Sequence, residues 1–328
     1  MEIEKVDIME NKILLIDKSL LEILLSDRTT SKNILWCTDN YVNYGMGYSY
    51  LEQIRIELIT GKRGNVIKPR VRKTKKEQKS RIKNKAEVFT SSWACNHQNN
   101  YIDKLWFSRD NVFNTEVCNG WEVIYDKVSF EKIDKTWIDY VNDKRLEVSC
   151  GEAPYIVSRY DTVTGNIIEP IQRIGILDRK IRVINENADN AEWFSWVKKA
   201  YQSVYGYEWQ GDSLLIAREN LLYTFIDYYY EKFKSLPSIQ EQIEISEIIS
   251  WNFWQMDGLK GVVPMSCNNE KIIQVNLFGE EVTTQCEGCR QASISKHNGI
   301  YCHIKEWTDN KGKSKIHRYI DLFDKGVI

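Results

Sequence analysis

From residue 145 to residue 254 the chain alternates short apolar runs with longer runs of helical spacing. Arg145–Val148, Ser203–Tyr207 and Ile248–Trp254 read as strands, and Ala191–Gln202, Ser213–Phe233 and Ser238–Glu247 read as helices. Strands separated by whole helices cannot pair through tight hairpins. Their natural arrangement is a parallel sheet with crossover helices, so the expected class is α/β. Upstream, residues 12–26 read as a short strand and then a helix capped by Asp17 or Ser19, and residues 33–37 read as another strand.

With 328 residues and 42% hydrophobic content the chain can bury a sizeable core. No apolar run approaches the roughly 18 residues that cross a bilayer. The start, Met1-Glu-Ile-Glu-Lys5, lacks the basic-then-apolar order of a secretion signal, so the cytoplasm is the expected location. The eight cysteines, several in apolar settings such as Leu35-Trp36-Cys37 and Trp93-Ala94-Cys95, read as reduced thiols. The net charge of −1 hides segregation: between Lys62 and Lys85 basic residues crowd together, opposed only by Glu77. With Gly61, Gly64 and Pro69 this stretch suggests a boundary near residue 86, giving an N-terminal α/β region (1–86), a main domain (87–264) and a Cys-rich C-terminal piece (265–328). A charge run of this kind is either a solvated linker or a phosphate-binding segment. Its place ahead of a ligand-binding pattern favours DNA or RNA contact through Arg70, Arg72, Lys73, Lys75 and Lys76.

Three strand ends carry the chemistry. Arg145-Leu-Glu-Val-Ser-Cys-Gly-Glu-Ala-Pro154 is a strand ending at Glu147, followed by a Gly-containing turn at Cys150-Gly151 that can offer backbone amides to a nucleotide-like ligand. Val204-Tyr-Gly-Tyr-Glu208-Trp209 places a carboxylate where it can accept two ribose hydroxyls. Met256-Asp257-Gly-Leu259 offers a third carboxylate, suited to an adenine amino group, with Leu259 against the ring.

Glu87-Val-Phe89-Thr90-Ser91, Glu147-Val-Ser-Cys150-Gly151-Glu-Ala153, Gly206-Tyr-Glu208 with Ala217-Arg-Glu-Asn220-Leu221, and Asp257-Gly-Leu259 occur in that order. In this the chain resembles the gamma-type N6-adenine DNA methyltransferases of restriction–modification systems, especially restriction endonuclease subunit M, over roughly residues 85–260. The resemblance implies a Rossmann-like methyltransferase sheet and S-adenosylmethionine as cofactor. Thr90 would meet its methionine carboxylate, Cys150 and Gly151 would line the methionine and ribose, Glu208 would hold the ribose, and Asp257 the adenine with Leu259 against its face; Phe89, Glu147 and Trp209 complete the expected cofactor-binding set. Ser91, Val148 and Ala153 stand where the family has proline, proline and glycine, and the wide interval between Glu147 and Glu208 implies an insertion near residues 162–190.

The family's base-holding motif, Asn-Pro-Pro-Tyr, does not follow Asp257; the nearest string is Glu152-Ala-Pro-Tyr155. The resemblance therefore implies a cofactor-binding subunit that is inactive or weakly active alone and needs a second methyltransferase subunit carrying that motif, with DNA as substrate. The competing reading is a non-catalytic DNA- or protein-binding module on a methyltransferase scaffold. Cys286-Glu-Gly-Cys289 has zinc-knuckle spacing, with Cys302 and Cys267, His297 or His303 to complete a structural site; the metal set taken forward is Cys267, Cys286, Cys289 and Cys302. Two unligated thiols in a turn are the plainer alternative. His97 and His317 read as ordinary polar positions.

Overall fold

The computed structural model describes residues 10–85, 90–131, 133–268, 272–275, 281–307 and 314–324. It opens on two helices, α1 (Glu10–Ile16) and α2 (Lys18–Leu25), where a strand and then a helix were expected. Asp17 divides them: its carboxylate accepts the Ser19 N–H at 2.8 Å and caps α2. Leu20, Leu21, Leu24 and Leu25 are buried together, the stripe of an amphipathic helix. The expected strand at residues 33–37 shrinks to a short antiparallel pair, β1 (Ser26–Asp27) with β2 (Lys32–Asn33), and one bridge between Leu35 and Gln53. The chain continues through α3 (Ile56–Ile59), the basic helix α4 (Lys75–Lys85), α5 (Ser92–Phe107), the hairpin β3 (Asn114–Val117) and β4 (Gly120–Val123), and α6 (Trp137–Asn142).

A three-stranded parallel sheet follows, formed by β5 (Arg145–Glu147), β6 (Val204–Glu208) and β7 (Phe253–Gln255), lying side by side in chain order. Helices α7 (Ile176–Asn187) and α8 (Asn190–Gln202) make the first crossover; α9 (Gly211–Phe233) and α10 (Ile239–Asn252) make the second. The segment expected as an insertion contains α7, whose Leu177, Ile181, Val183 and Ile184 are buried, so it belongs to the core crossover. The third strand is shorter than expected because Ile245, Ile248 and Ile249, at helical spacing, extend the buried stripe of α10 to Asn252. The other sheets are two-stranded: besides the pairs already named, β8 (Ile272–Val275) with β9 (Glu281–Thr284), and, beyond α11 (Glu287–Gln291), β10 (His303–Glu306) with β11 (Lys315–Arg318), before α12 (Asp321–Asp324). The molecule is thus mixed α/β with small sheets.

Strands that follow chain order send right-handed crossovers to one face of the sheet. On that face one continuous core runs from Ile13 to Phe253. Gly206 is required there, since a Cβ on it would lie 2.7 Å from the Phe253 ring. The N-terminal helices share this core rather than forming a body of their own. The buried Arg218 of α9 explains part of the join, donating to Leu24 O at 2.6 Å and Ser26 O at 3.0 Å and also to Phe253 O at 2.6 Å. The opposite face presents Leu146, Tyr205, Tyr207 and Trp254. It is covered by Val263 of the turn after β7 and by the C-terminal piece through Cys302, Ile304, Tyr319 and Ile320. No helix among the described residues is long and apolar enough to cross a membrane.

Candidate functional site

A cavity of about 910 Å3 opens at the C-terminal ends of β5 and β6. The loop after β5 forms its floor. Ser149, Gly151 and Ala153 in that loop all have positive φ, at 51°, 55° and 61°. A side chain in that region costs roughly 1–2 kcal/mol, so Ala153 occupies a backbone position that glycine would fill with less strain. Loop and neighbouring strand are locked together: Cys150 N–H donates to Tyr207 O at 2.8 Å, and Gly151 N–H donates to the Glu208 carboxylate at 2.9 Å.

Of the residues expected to bind a cofactor, Thr90, Glu147, Cys150, Gly151, Glu208 and Trp209 line this one cavity. Glu208 ends β6 and accepts Gly151 N–H through one oxygen and Gln210 N–H, at 3.0 Å, through the other. Burial raises its pKa above the usual carboxylate range against the pull of those N–H groups. Glu147 is pushed up to about 8, chiefly by burial, with the charge of Glu208 adding to it. Among the described residues nothing donates to its Oε2.

Asp257 and Leu259 are placed differently. Asp257 ends the sheet's third strand region, but its carboxylate accepts Leu259 N–H at 3.1 Å and faces Lys260 at 3.6 Å, and it is not among the lining residues. Tyr50, which does line the cavity and hydrogen-bonds Trp209, stands close enough to Asp257 to feel its charge. Leu259 is 90% exposed. Phe89 lies outside the described residues. Tyr50, Gln210 and Asn220 also line the cavity and were not expected to. Tyr50 gave no signal because it sits about 100 residues from the strand ends; Asn220 sat inside a motif quoted for its helix alone. Glu152, in the string nearest to a base-holding motif, accepts Arg70 N–H and the Tyr160 hydroxyl, both at 2.6 Å, and so ties loops together.

The basic segment is folded onto the main body. Arg70 lines the cavity. Lys73 is buried against Asp212 at 3.5 Å, and Arg81 pairs with the same carboxylate at 2.8 Å, which also accepts the Tyr41 hydroxyl at 2.7 Å. Burial would raise the Asp212 pKa, yet Arg81 and Lys73 outweigh it and hold the group well below the usual range. Lys73, and in part Arg70, therefore face inward, which corrects the expectation that all five cations look outward; Arg72, Lys75 and Lys76 are exposed.

In the C-terminal piece Cys267, Cys286, Cys289 and His297 bring one ligand atom each to within 4.8 Å of one another, a group that can hold a metal ion. The Cys267 sulfur lies 3.4 Å from that of Cys286 and 3.7 Å from that of Cys289. His297 Nδ1 is 3.5, 3.4 and 3.6 Å from Cys267, Cys286 and Cys289. Gly288 is a steric necessity between the paired cysteines, because a Cβ there would stand 2.6 Å from His297 N and 2.7 Å from its Nδ1. The fourth member of this group is thus His297, not Cys302. Cys302 is fully buried in the apolar layer under the sheet, with its sulfur 3.4 Å from Gln255 O. His303 is taken up in β10, its N–H donating to Thr29 Oγ1. His97 and His317 pair with Glu116 and Glu306. No family model, curated protein or solved structure matches the chain.

Proposed function

We propose that this chain is the S-adenosylmethionine-binding subunit of a split N6-adenine DNA methyltransferase of a restriction–modification or phage-defence system. One observation carries the reading: Thr90, Glu147, Cys150, Gly151, Glu208 and Trp209, drawn from three separated stretches of sequence, converge on a single cavity at the ends of parallel strands. Such strand ends are where α/β sheets bind nucleotide-like ligands. The lining fits the cofactor's chemistry. The volume falls in the roughly 300–1,000 Å3 range of small-molecule sites. Acidic Glu152 and Glu208 and basic Arg70 suit a ligand carrying both signs, and Tyr50 and Trp209 offer aromatic surface. The left-handed conformation of Ala153, where the family has glycine, supports the same assignment. In this reading the sheet is the first half of a Rossmann-like one.

When bound, S-adenosylmethionine supplies a methyl group bonded to a sulfonium. The chain's own residues would orient it: Glu208 by accepting ribose hydroxyls, the Gly151 loop by close backbone approach, and Thr90 at the amino-acid end. Holding a flipped adenine falls to a second subunit that supplies an Asn-Pro-Pro-Tyr segment. The Cys267, Cys286, Cys289 and His297 group would hold a structural zinc ion. A tetrahedral zinc with bonds of about 2.3 Å to sulfur sets its sulfurs about 3.8 Å apart, close to the spacing here.

Calorimetry of the purified chain with S-adenosylmethionine tests the assignment, and methyl transfer to duplex DNA is then assayed with and without the product of the neighbouring gene. Cofactor binding without turnover, rescued by the partner, is the expected result. No cofactor binding would end this reading, and robust methylation by the chain alone would end the split-enzyme part of it.

A further inference from the structure

The segment from Lys68 to Arg81 has two faces. Inward, Arg70 and Val71 form part of the cavity wall, Arg70 N–H is held by Glu152, and Lys73 and Arg81 are buried on Asp212. Outward, Arg72, Lys75, Lys76 and Lys79 are exposed. The latch and the cavity are almost one object. Asp212 follows Gln210 closely and precedes Ser213, both of which line the cavity, and Arg81 also donates to Ser213 Oγ at 3.2 Å. A strap carrying this many like charges repels itself, and Asp212, Glu152 and the capping Glu77 offset only part of that repulsion.

We infer that the strap couples the two ligands, so that duplex DNA on its outer face and the cofactor in the cavity bind with positive, reciprocal cooperativity. Phosphates along the outer lysines relieve the repulsion and favour the closed strap. The closed strap supplies the cavity wall that Arg70 and Val71 make. Conversely, a ligand touching that wall holds the strap in the conformation that presents Lys75, Lys76 and Lys79 as a row. The coupling rests on the cofactor reading above. By linkage the gain must be the same in both directions.

The test is calorimetry of the full chain with S-adenosylmethionine, alone and with a saturating, non-specific DNA duplex, and the converse titration of duplex with and without cofactor. We expect each ligand to tighten the other by a matching factor of about five or more, shrinking as salt is raised. The triple variant Lys75→Gln, Lys76→Gln and Lys79→Gln touches no cavity residue. With the repulsion removed, it should bind the cofactor alone more tightly than the parent does and lose the gain from DNA. Absence of cofactor binding in every arm overturns the cofactor reading and this inference with it. Cofactor binding that a bound duplex leaves unchanged, a duplex that does not bind, or a triple variant that keeps the full gain each overturns the coupling while leaving the cofactor site standing.

Discussion

At Glu208 backbone N–H groups from Gly151 and Gln210 hold one oxygen each, with Trp209 N–H a further contact, and fix the carboxylate at the cavity wall. Glu208→Ala should therefore weaken S-adenosylmethionine binding by about 1–3 kcal/mol, the cost of removing a partner from buried polar groups. Asp257→Ala, whose carboxylate instead holds its own turn, should lose clearly less; equal losses in calorimetry would return the adenine to Asp257. A second pair of carboxyl groups speaks to stability. Glu10 of α1 and Glu219 of α9 are both buried, and nothing among the described residues donates to either oxygen of Glu219. Burial pushes Glu10 up to about 8 and Glu219 well above the usual range, where the charge of Glu10 adds to the rise. The folded state thus binds more protons than the unfolded one, and stability falls as the pH rises from about 4.5 towards 8. Glu219→Gln should flatten that decline, raising stability at pH 8 by a few kcal/mol at most, roughly 1.4 kcal/mol per pKa unit removed. Denaturation midpoints that decline with pH as steeply in the variant as in the parent would refute this.

Among the elements, α9 does the most joining. Its first turn carries Asp212, which receives Arg81, Lys73 and Tyr41, and its middle carries Arg218, which holds the N-terminal helices to the sheet. Asp212→Asn would leave two cations in the interior without a counter-charge, a loss of about 3–5 kcal/mol. Hydrogen exchange should show residues 70–81 opening first. Because the Asp212 pKa is depressed, its contribution is intact at neutral pH and drains away only as the pH falls below the ordinary carboxylate range. The sheet and three of its four crossover helices were legible in the sequence because period-2 and period-3.6 patterns are local, whereas α7 lay in the stretch read as an insertion. The acids at two strand ends were legible for the same reason, since a strand that stops at a turn must present its last side chain there. The strap was misread because a charge run looks alike whether it is solvated or pinned by a single carboxylate 131 positions away, as Arg81 is by Asp212. Tyr50 was missed on the same ground, and His297 lost its place to Cys302 because Cys302 sits in a plausible spacing while its side chain points into the apolar layer beneath β7.

Across the whole molecule the two faces of the sheet are closed by different means. Helices close one. The C-terminal piece closes the other, hydrogen-bonded to the turn after β7 through Val263 N–H to Ile300 O at 2.8 Å and Cys302 N–H to Gly261 O at 3.0 Å. Metal analysis should find one ion per chain, lost on Cys289→Ser and on Gly288→Ala but kept on Cys302→Ser. Chelation should raise hydrogen exchange mainly between residues 257 and 306, because a local clip constrains the loop it closes. Retention of metal by Cys289→Ser, or its loss from Cys302→Ser, would show the ligand set to be wrong. The order of the chain gives this arrangement a cost during synthesis. The sheet emerges first, and its Leu146, Tyr205, Tyr207 and Trp254 face stays bare until residues more than 50 positions later have been translated and clipped. A cell short of metal would then accumulate nascent protein whose sticky face has no cover, so recovery in the soluble fraction should track the metal supply of the growth medium.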